Sequence, residues 1–215
     1  MNKIFRKIKN FSNMPFSRKL QFFYLLSRKY YTYLFYRPRM KSCGSHLIVF
    51  KPIFWTPEYV SSGSNVLIWH HARIEGISQY GDKVFSPEIT FGDRVSIQQR
   101  CHIIAAGNLN IGDDVTISID VMINDTEHEY RDIDVNVLEQ PLIHNPISIG
   151  SRCFLGAGAR ILAGTTLGDH CIVGANSVVK GHFPSGCVIA GIPARIIKKY
   201  DPVTQSWLSV EKNKE

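Results

Sequence analysis

A glycine followed three and five positions later by an apolar residue recurs along the chain. The copies are GSHLIV from Gly44, GSNVLI from Gly63, GDRVSI from Gly92, GDDVTI from Gly112, GSRCFL from Gly150 and GDHCIV from Gly168, with a degenerate seventh from Gly186. Successive glycines lie 19, 29, 20, 38, 18 and 18 residues apart. A coil of 18 residues interrupted by occasional loops accounts for every gap, and a fixed period of this kind marks a solenoid. Inside the coils a finer period of six appears: Ile149, Leu155, Ile161, Leu167, Val173 and Val179 follow one another without a break, as do Ile111, Ile117 and Ile123. Three short strands per coil follow.

One large aliphatic residue every six, with a small one two positions earlier, describes a triangular prism of parallel strands. The aliphatics point inward, and so should Val95, Val115, Cys153 and Cys171. Each coil covers the edges of its neighbours. The longest departure from the period runs from Asn124 to Pro146, between two well-formed repeats, and long loops in such a frame are usually functional.

The segment before the repeats has another character. Residues 1–41 hold eleven Lys or Arg and no acid, interleaved with Phe and Tyr, whereas the rest of the chain is mildly acidic. From Arg18 to Arg39 the pattern predicts a helix ended by Pro38. Its apolar run Phe22–Leu26 is too short for a signal-peptide core or a membrane span, and Arg28 and Lys29 interrupt it. Two uses fit it, a contact with an anionic membrane surface or a cap on the strands. Its charge is not accompanied by any nucleic-acid module, so no nucleic-acid partner is expected.

The 215 residues give one domain with an appendage: 1–42 a basic aromatic helical extension, 43–199 the repeat domain with its loop at 124–146, and 200–215 a tail. Composition is that of an ordinary globular protein. Five cysteines without a CxxC pair suit a reducing, cytoplasmic compartment, and they read as small core residues.

The run LGAGARILAGTTLGDHCIVGANSVVKG, followed by AGIPARII, resembles the hexapeptide-repeat acyltransferases. The resemblance implies an all-β fold, a left-handed parallel β-helix, here with an N-terminal helical extension and a long loop inserted between coils. It also implies a homotrimer with sites between subunits, acetyl-coenzyme A (acetyl-CoA) as co-substrate, and transfer of the acetyl group to a hydroxyl of a sugar or polysaccharide repeat unit. Members with such extensions are associated with glycan assembly, which suits a protein peripheral to the inner face of the membrane. An amine acceptor and a non-catalytic binding solenoid are the alternatives.

Acyl transfer to an alcohol needs a base of near-neutral pKa within reach of the hydroxyl, and His128 at the head of the long loop supplies an imidazole. Its place resembles that of the catalytic histidine of galactoside, maltose and polysaccharide O-acetyltransferases. Asp125, Glu127 and Glu139 are candidates to fix its tautomer. Where the galactoside-type enzymes carry an asparagine one coil earlier, this chain has Gln98 and Arg100, which would suit a different, acidic acceptor. Small residues at successive coil corners, Gly156 with Ala157 and Gly174 with Ala175, let a backbone approach a ligand closely, and the resemblance makes them the pantetheine groove. Lys180, Arg195 and Lys198 are the cations available to the nucleotide phosphates. No two histidines have the five-residue spacing of the zinc enzymes that share the fold, so no metal is expected.

Overall fold

The computed structural model describes residues 14–210. Its repeats form three parallel sheets wound into a prism. The first face stacks Ser42–Cys43, Val60–Ser62, Glu88–Phe91, Asn108–Ile111, Ile147–Ile149, Thr166–Leu167 and His182–Phe183. The second stacks Ile48–Val49, Leu67–Ile68, Ser96–Ile97, Thr116–Ile117, Phe154–Leu155, Ile172–Val173 and Cys187–Gly191. The third stacks Phe54–Trp55, Arg73–Gly76, His102–Ala105, Met122–Asn124, Arg160–Ile161 and Val178–Val179.

Register turns the six-residue period into columns. On the second face Val49, Ile68, Ile97, Ile117, Leu155, Val173 and Ile189 are successive partners; on the third, Trp55, Ile74, Ile103, Ile123, Ile161 and Val179 are. All but the half-buried Trp55 are almost fully buried. The expected small positions Val95, Val115, Cys153 and Cys171 are buried with them. All five cysteines are free, four lie in the core, and burial pushes the Cys101 thiol up to about 11, so it packs rather than reacts.

The Gly-Asp/Ser step has its own reason. Asp113 Oδ1 accepts the amide of Asp93 at 2.8 Å, Ser151 Oγ that of Asp113 at 3.2 Å, and Asp169 Oδ1 that of Ser151 at 2.8 Å, so a side chain from one coil satisfies the backbone of the one before. The glycine beside it is needed for close approach: a Cβ on Gly112 would lie 2.8 Å from the Ser151 nitrogen.

At the N-terminal end, helix α1 (Phe16–Tyr31) continues through a π turn at Thr32–Tyr36 and a 3₁₀ turn at Arg37–Arg39. The buried Arg28 donates to the carbonyl of Val49 at 2.9 Å, and Thr32 Oγ1 accepts the Val49 amide at 2.9 Å. Helix and turns thus satisfy the open edge of the first strand of the second face, as a cap does. The expected helix over 18–39 is present two residues longer at its start; residues 1–13 of the predicted extension lie outside those described.

The C-terminal boundary departs from expectation. The strand Ala194–Asp201 runs past the predicted end of the repeat domain, turns antiparallel to Cys187–Gly191, and pairs in turn with Ser206–Ser209. What reads as a tail over 200–209 is a hairpin that closes the second face, because antiparallel strands carry no six-residue period.

Candidate functional site

Two edges of the prism carry the candidate residues. Along the edge between the second and third faces the chain turns through left-handed backbone at Arg100 (φ 58°), Asp120 (φ 58°), Gly158 (φ 71°) and Asn176 (φ 56°). A groove of about 520 Å³ opens there, lined by Arg100, His102, Asp120, Ala157, Arg160 and Ala175 among others. The corners are knit coil to coil: Gly158 N donates to Ile119 O at 2.9 Å and Asn176 N to Ala157 O at 2.8 Å. Among the described residues the amides of Ile119, Ala157 and Ala175, all in the groove lining, donate no hydrogen bond, so three backbone donors on this edge remain for a ligand. Gly156 permits the stacking, since a Cβ there would stand 2.7 Å from the Ala175 nitrogen.

The same edge gains charge at its C-terminal end. Gly156, Gly174 and Ala190 follow the partnered residues Leu155, Val173 and Ile189, and Ala190 is paired with Arg195. The exposed Arg195 spends one N–H on its own neighbour's carbonyl, Ala194 O, at 3.0 Å. Lys198, opposite Val188, lies on the same strand and is exposed. Lys180 does not join them. It sits on the next edge and pairs with Glu127 at 2.5 Å.

Arg100 reaches the groove but is engaged, with Nε and Nη2 on the two carboxylate oxygens of Asp120 at 2.7 and 2.6 Å. That fork holds the Asp120 carboxyl below the usual carboxylate range. Arg160 Nη1 donates to the Asp120 carbonyl at 2.6 Å. Gln98 stands outside the groove lining, donating to Ser96 Oγ at 3.0 Å, so the two residues expected to replace the asparagine are not brought together.

The edge between the third and first faces carries two excursions. The longer leaves the coil at Asp125 and returns at Asn145, whose amide donates to Asp125 O at 2.8 Å. Between them Thr126–His128 pairs antiparallel with Leu142–His144. The shorter is the hairpin Gln79–Tyr80 with Lys83–Val84. They meet: the Tyr80 ring stands edge-on to His128 at 5.4 Å between centroids, Tyr80 Oη donates to Leu138 O at 2.7 Å, and Phe85 packs against His144 at 5.7 Å. His128 is half-buried, and its Nδ1 is fully buried with no partner among the described residues.

The expected orienting carboxylates are elsewhere. Asp125 is fully buried and its two oxygens accept the amides of Ala106 and Gly107 at 2.8 and 2.9 Å. Burial raises its pKa, against the pull of those amides and of the nearby His144. It anchors the base of the hairpin rather than the imidazole. Glu127 adjoins His128 in a strand, where successive side chains take opposite faces, and it binds Lys180. Glu139 is an exposed loop residue.

Sequence reasoning missed Asn124, Tyr80 and Gln140. Asn124 Oδ1 accepts from both the amide and the hydroxyl of Thr126, setting the exit of the hairpin. Gln140, buried in the loop, donates to Asp132 O and Val135 O. The only signal for Tyr80 was the 29-residue gap between Gly63 and Gly92, which left eleven residues outside the coil. No cluster of His, Cys, Asp and Glu suited to a metal ion is found among the described residues.

Residues 146–180 match the family model described as the hexapeptide repeat of succinyl-transferase. Over 130 residues the chain is 38% identical to WbbJ of Escherichia coli (strain K12), named for O-acetyl transfer in lipopolysaccharide biosynthesis; the match covers 55% of this chain and 64% of that one. It is 29% identical over 123 residues to the galactoside O-acetyltransferase of the same organism, covering 53% of this chain and 59% of the relative. The chain thus spans less than two thirds of the length of either. In fold it is similar to AntD, an N-acyltransferase from Bacillus cereus solved with dTDP and coenzyme A (TM-score 0.64, 18% identity, 77% and 87% covered). It is also similar to a maltose O-acetyltransferase from Clostridium difficile 630 (TM-score 0.53, 22% identity, 82% and 88% covered). The chain carries the hexapeptide repeat, its relatives include O-acetyltransferases, and its fold is that of acyltransferases solved with coenzyme A.

Proposed function

We propose that this chain is an O-acetyltransferase that moves an acetyl group from acetyl-CoA to a hydroxyl of a sugar or polysaccharide repeat unit, with His128 as general base. The observation that supports the donor half is the groove edge: corner amides without acceptors, Ala157 and Ala175 among them, on an edge whose C-terminal end carries the exposed Arg195, with Lys198 on the same strand. An extended amide-containing arm would use the corner N–H groups, and phosphates would use the cations. Those residues fit coenzyme A, whose thioester supplies the activated acyl carbon.

The acceptor half rests on His128. Its imidazole would take the proton of the acceptor hydroxyl as that oxygen bonds to the acyl carbon, and return the proton to the departing sulfur. A corner amide would donate to the oxyanion that forms. Tyr80, packed on the ring, limits its orientations, a role Asp125 and Glu127 do not fill.

Within one chain, groove and hairpin occupy different edges with the third face between them. A cyclic homotrimer of left-handed prisms would bring one copy's hairpin edge to the next copy's groove edge and assemble three equal sites. A cytoplasmic setting fits five unpaired thiols and a donor made inside the cell.

Thiol release from acetyl-CoA in the presence of a library of glycan acceptors tests the reading. Acceptor-dependent release with hydroxyl sugars is the expected result. Release only with amino sugars would shift the assignment to N-acylation, and a folded protein that does not bind coenzyme A by calorimetry would leave a binding solenoid.

A further inference from the structure

The N-terminal helix has a second face that the cap does not use. Arg28, Thr32 and Tyr36 turn toward the prism, the first two on Val49 and the third against Trp55. Phe16, Leu20, Tyr30 and Leu34 occupy the opposite side, at spacings of four, ten and four residues that return to one helical face, and all four are more than half exposed. Tyr24, Tyr31 and Phe35 flank this stripe and are also exposed. An apolar stripe this long on a helix clamped by its other side is too large to be scattered surface hydrophobicity.

Charge decides what would cover it. Exposed Arg37 and Arg39 lie in the turn beyond the C-terminal end of the stripe, Arg18 adds a further exposed cation to the helix, and the first carboxylate in the chain is Glu58. A second copy of the same helix would bring cation against cation with no acid to pair them, whereas helices that associate along such a seam place opposite charges beside it. An anionic lipid surface meets both features: headgroups take the cations, and the aromatic rings settle at the boundary of the acyl chains. No helix among the described residues is long and apolar enough to cross a membrane, so the contact would lie in the interface plane.

We propose that the outward face of α1 and its following turns is a docking surface for an anionic phospholipid membrane. It would hold the prism by its N-terminal end, and it does not depend on the catalytic reading. Because the helix is fixed to the prism by Arg28 and Thr32, the surface is preformed and little ordering is required on binding.

The test is vesicle co-flotation of the full chain, with phosphatidylcholine alone and with phosphatidylcholine and phosphatidylglycerol at three to one. The expected result is flotation with the anionic vesicles only, weakened by salt. Substituting Phe16→Ser, Leu20→Ser and Leu34→Ser together should lower the bound fraction more than tenfold, and so should Arg18→Glu with Arg37→Glu and Arg39→Glu. Both variants should keep the wild-type melting temperature and sedimentation coefficient, since neither set touches Val49. Absence of flotation by the wild type, equal binding to both vesicle types, or undiminished binding by the folded variants would overturn the proposal. A change of sedimentation coefficient in the stripe variant, with vesicle binding unchanged, would overturn it in favour of a contact between copies.

Discussion

The two candidate edges of the prism are built in opposite ways. The groove edge is made by the repeat itself: its free amides at Ala157 and Ala175 are equivalent positions in successive coils, and its shape follows from the spacing of those coils. The hairpin edge is made by interruptions of the repeat, and its histidine is held by a second interruption through Tyr80. Under the proposed function, regular coils would provide a surface for a constant, extended donor, while insertions would provide the groups that a variable acceptor demands. A change on one edge should leave the properties of the other nearly intact.

His128→Ala gives the sharpest separation. Turnover should fall about a hundredfold to ten-thousandfold, the usual worth of a positioned base, while calorimetric binding of coenzyme A stays unchanged. Retained turnover would remove the base and with it the division of labour.

Damage to the shared scaffold should not discriminate between edges. Ile123→Ala opens a cavity in the column of the third face, where the side chain is fully buried, and should cost about 2–5 kcal/mol in chemical denaturation. Loss of one edge's property with stability intact would contradict the placement of Ile123 in a common core.

Asp125→Asn tests the anchor of the hairpin. Burial raises the folded-state pKa of Asp125 above its unfolded value, so the folded state holds the proton more tightly. Its contribution is then largest at low pH and is lost as pH rises through the folded pKa. Relative to the asparagine variant, the wild type should gain stability as pH falls toward the ordinary aspartate range; a difference independent of pH would refute the sign.

The smallest effect belongs to Glu127→Gln. Its ion pair with Lys180 is roughly half exposed and should contribute about 0–1 kcal/mol. Thermal melts should barely move; a loss of stability well above that range would contradict a surface ion pair.

The scaffold was legible in the sequence because each inward position repeats one physical demand, an aliphatic residue stacked on its equivalent in the next coil. Ile149 through Val179 could be placed on three faces by counting in sixes. The position of His128 was legible for the complementary reason, as the first imidazole after the pattern breaks. Its surroundings were not. Asp125 lies three residues away in sequence, yet its carboxylate belongs to the backbone of the preceding coil, and Glu127 faces away because strands alternate. Tyr80 reaches the ring from 48 positions upstream, a contact that only the winding of the coils creates. The C-terminal hairpin escaped for want of any period to count.

If groove and base come from different copies of the chain, complementation between two inactive variants reveals it most directly. His128→Ala lacks the base, and Ala175→Trp, at an exposed corner, fills the groove; each alone should be inactive. Unfolded together and refolded as an equal mixture, they should regain about a quarter of wild-type activity, the fraction of interfaces in a random cyclic assembly that join an intact hairpin to an intact groove. No recovery from a mixture that refolds into mixed oligomers would contradict a site shared between copies.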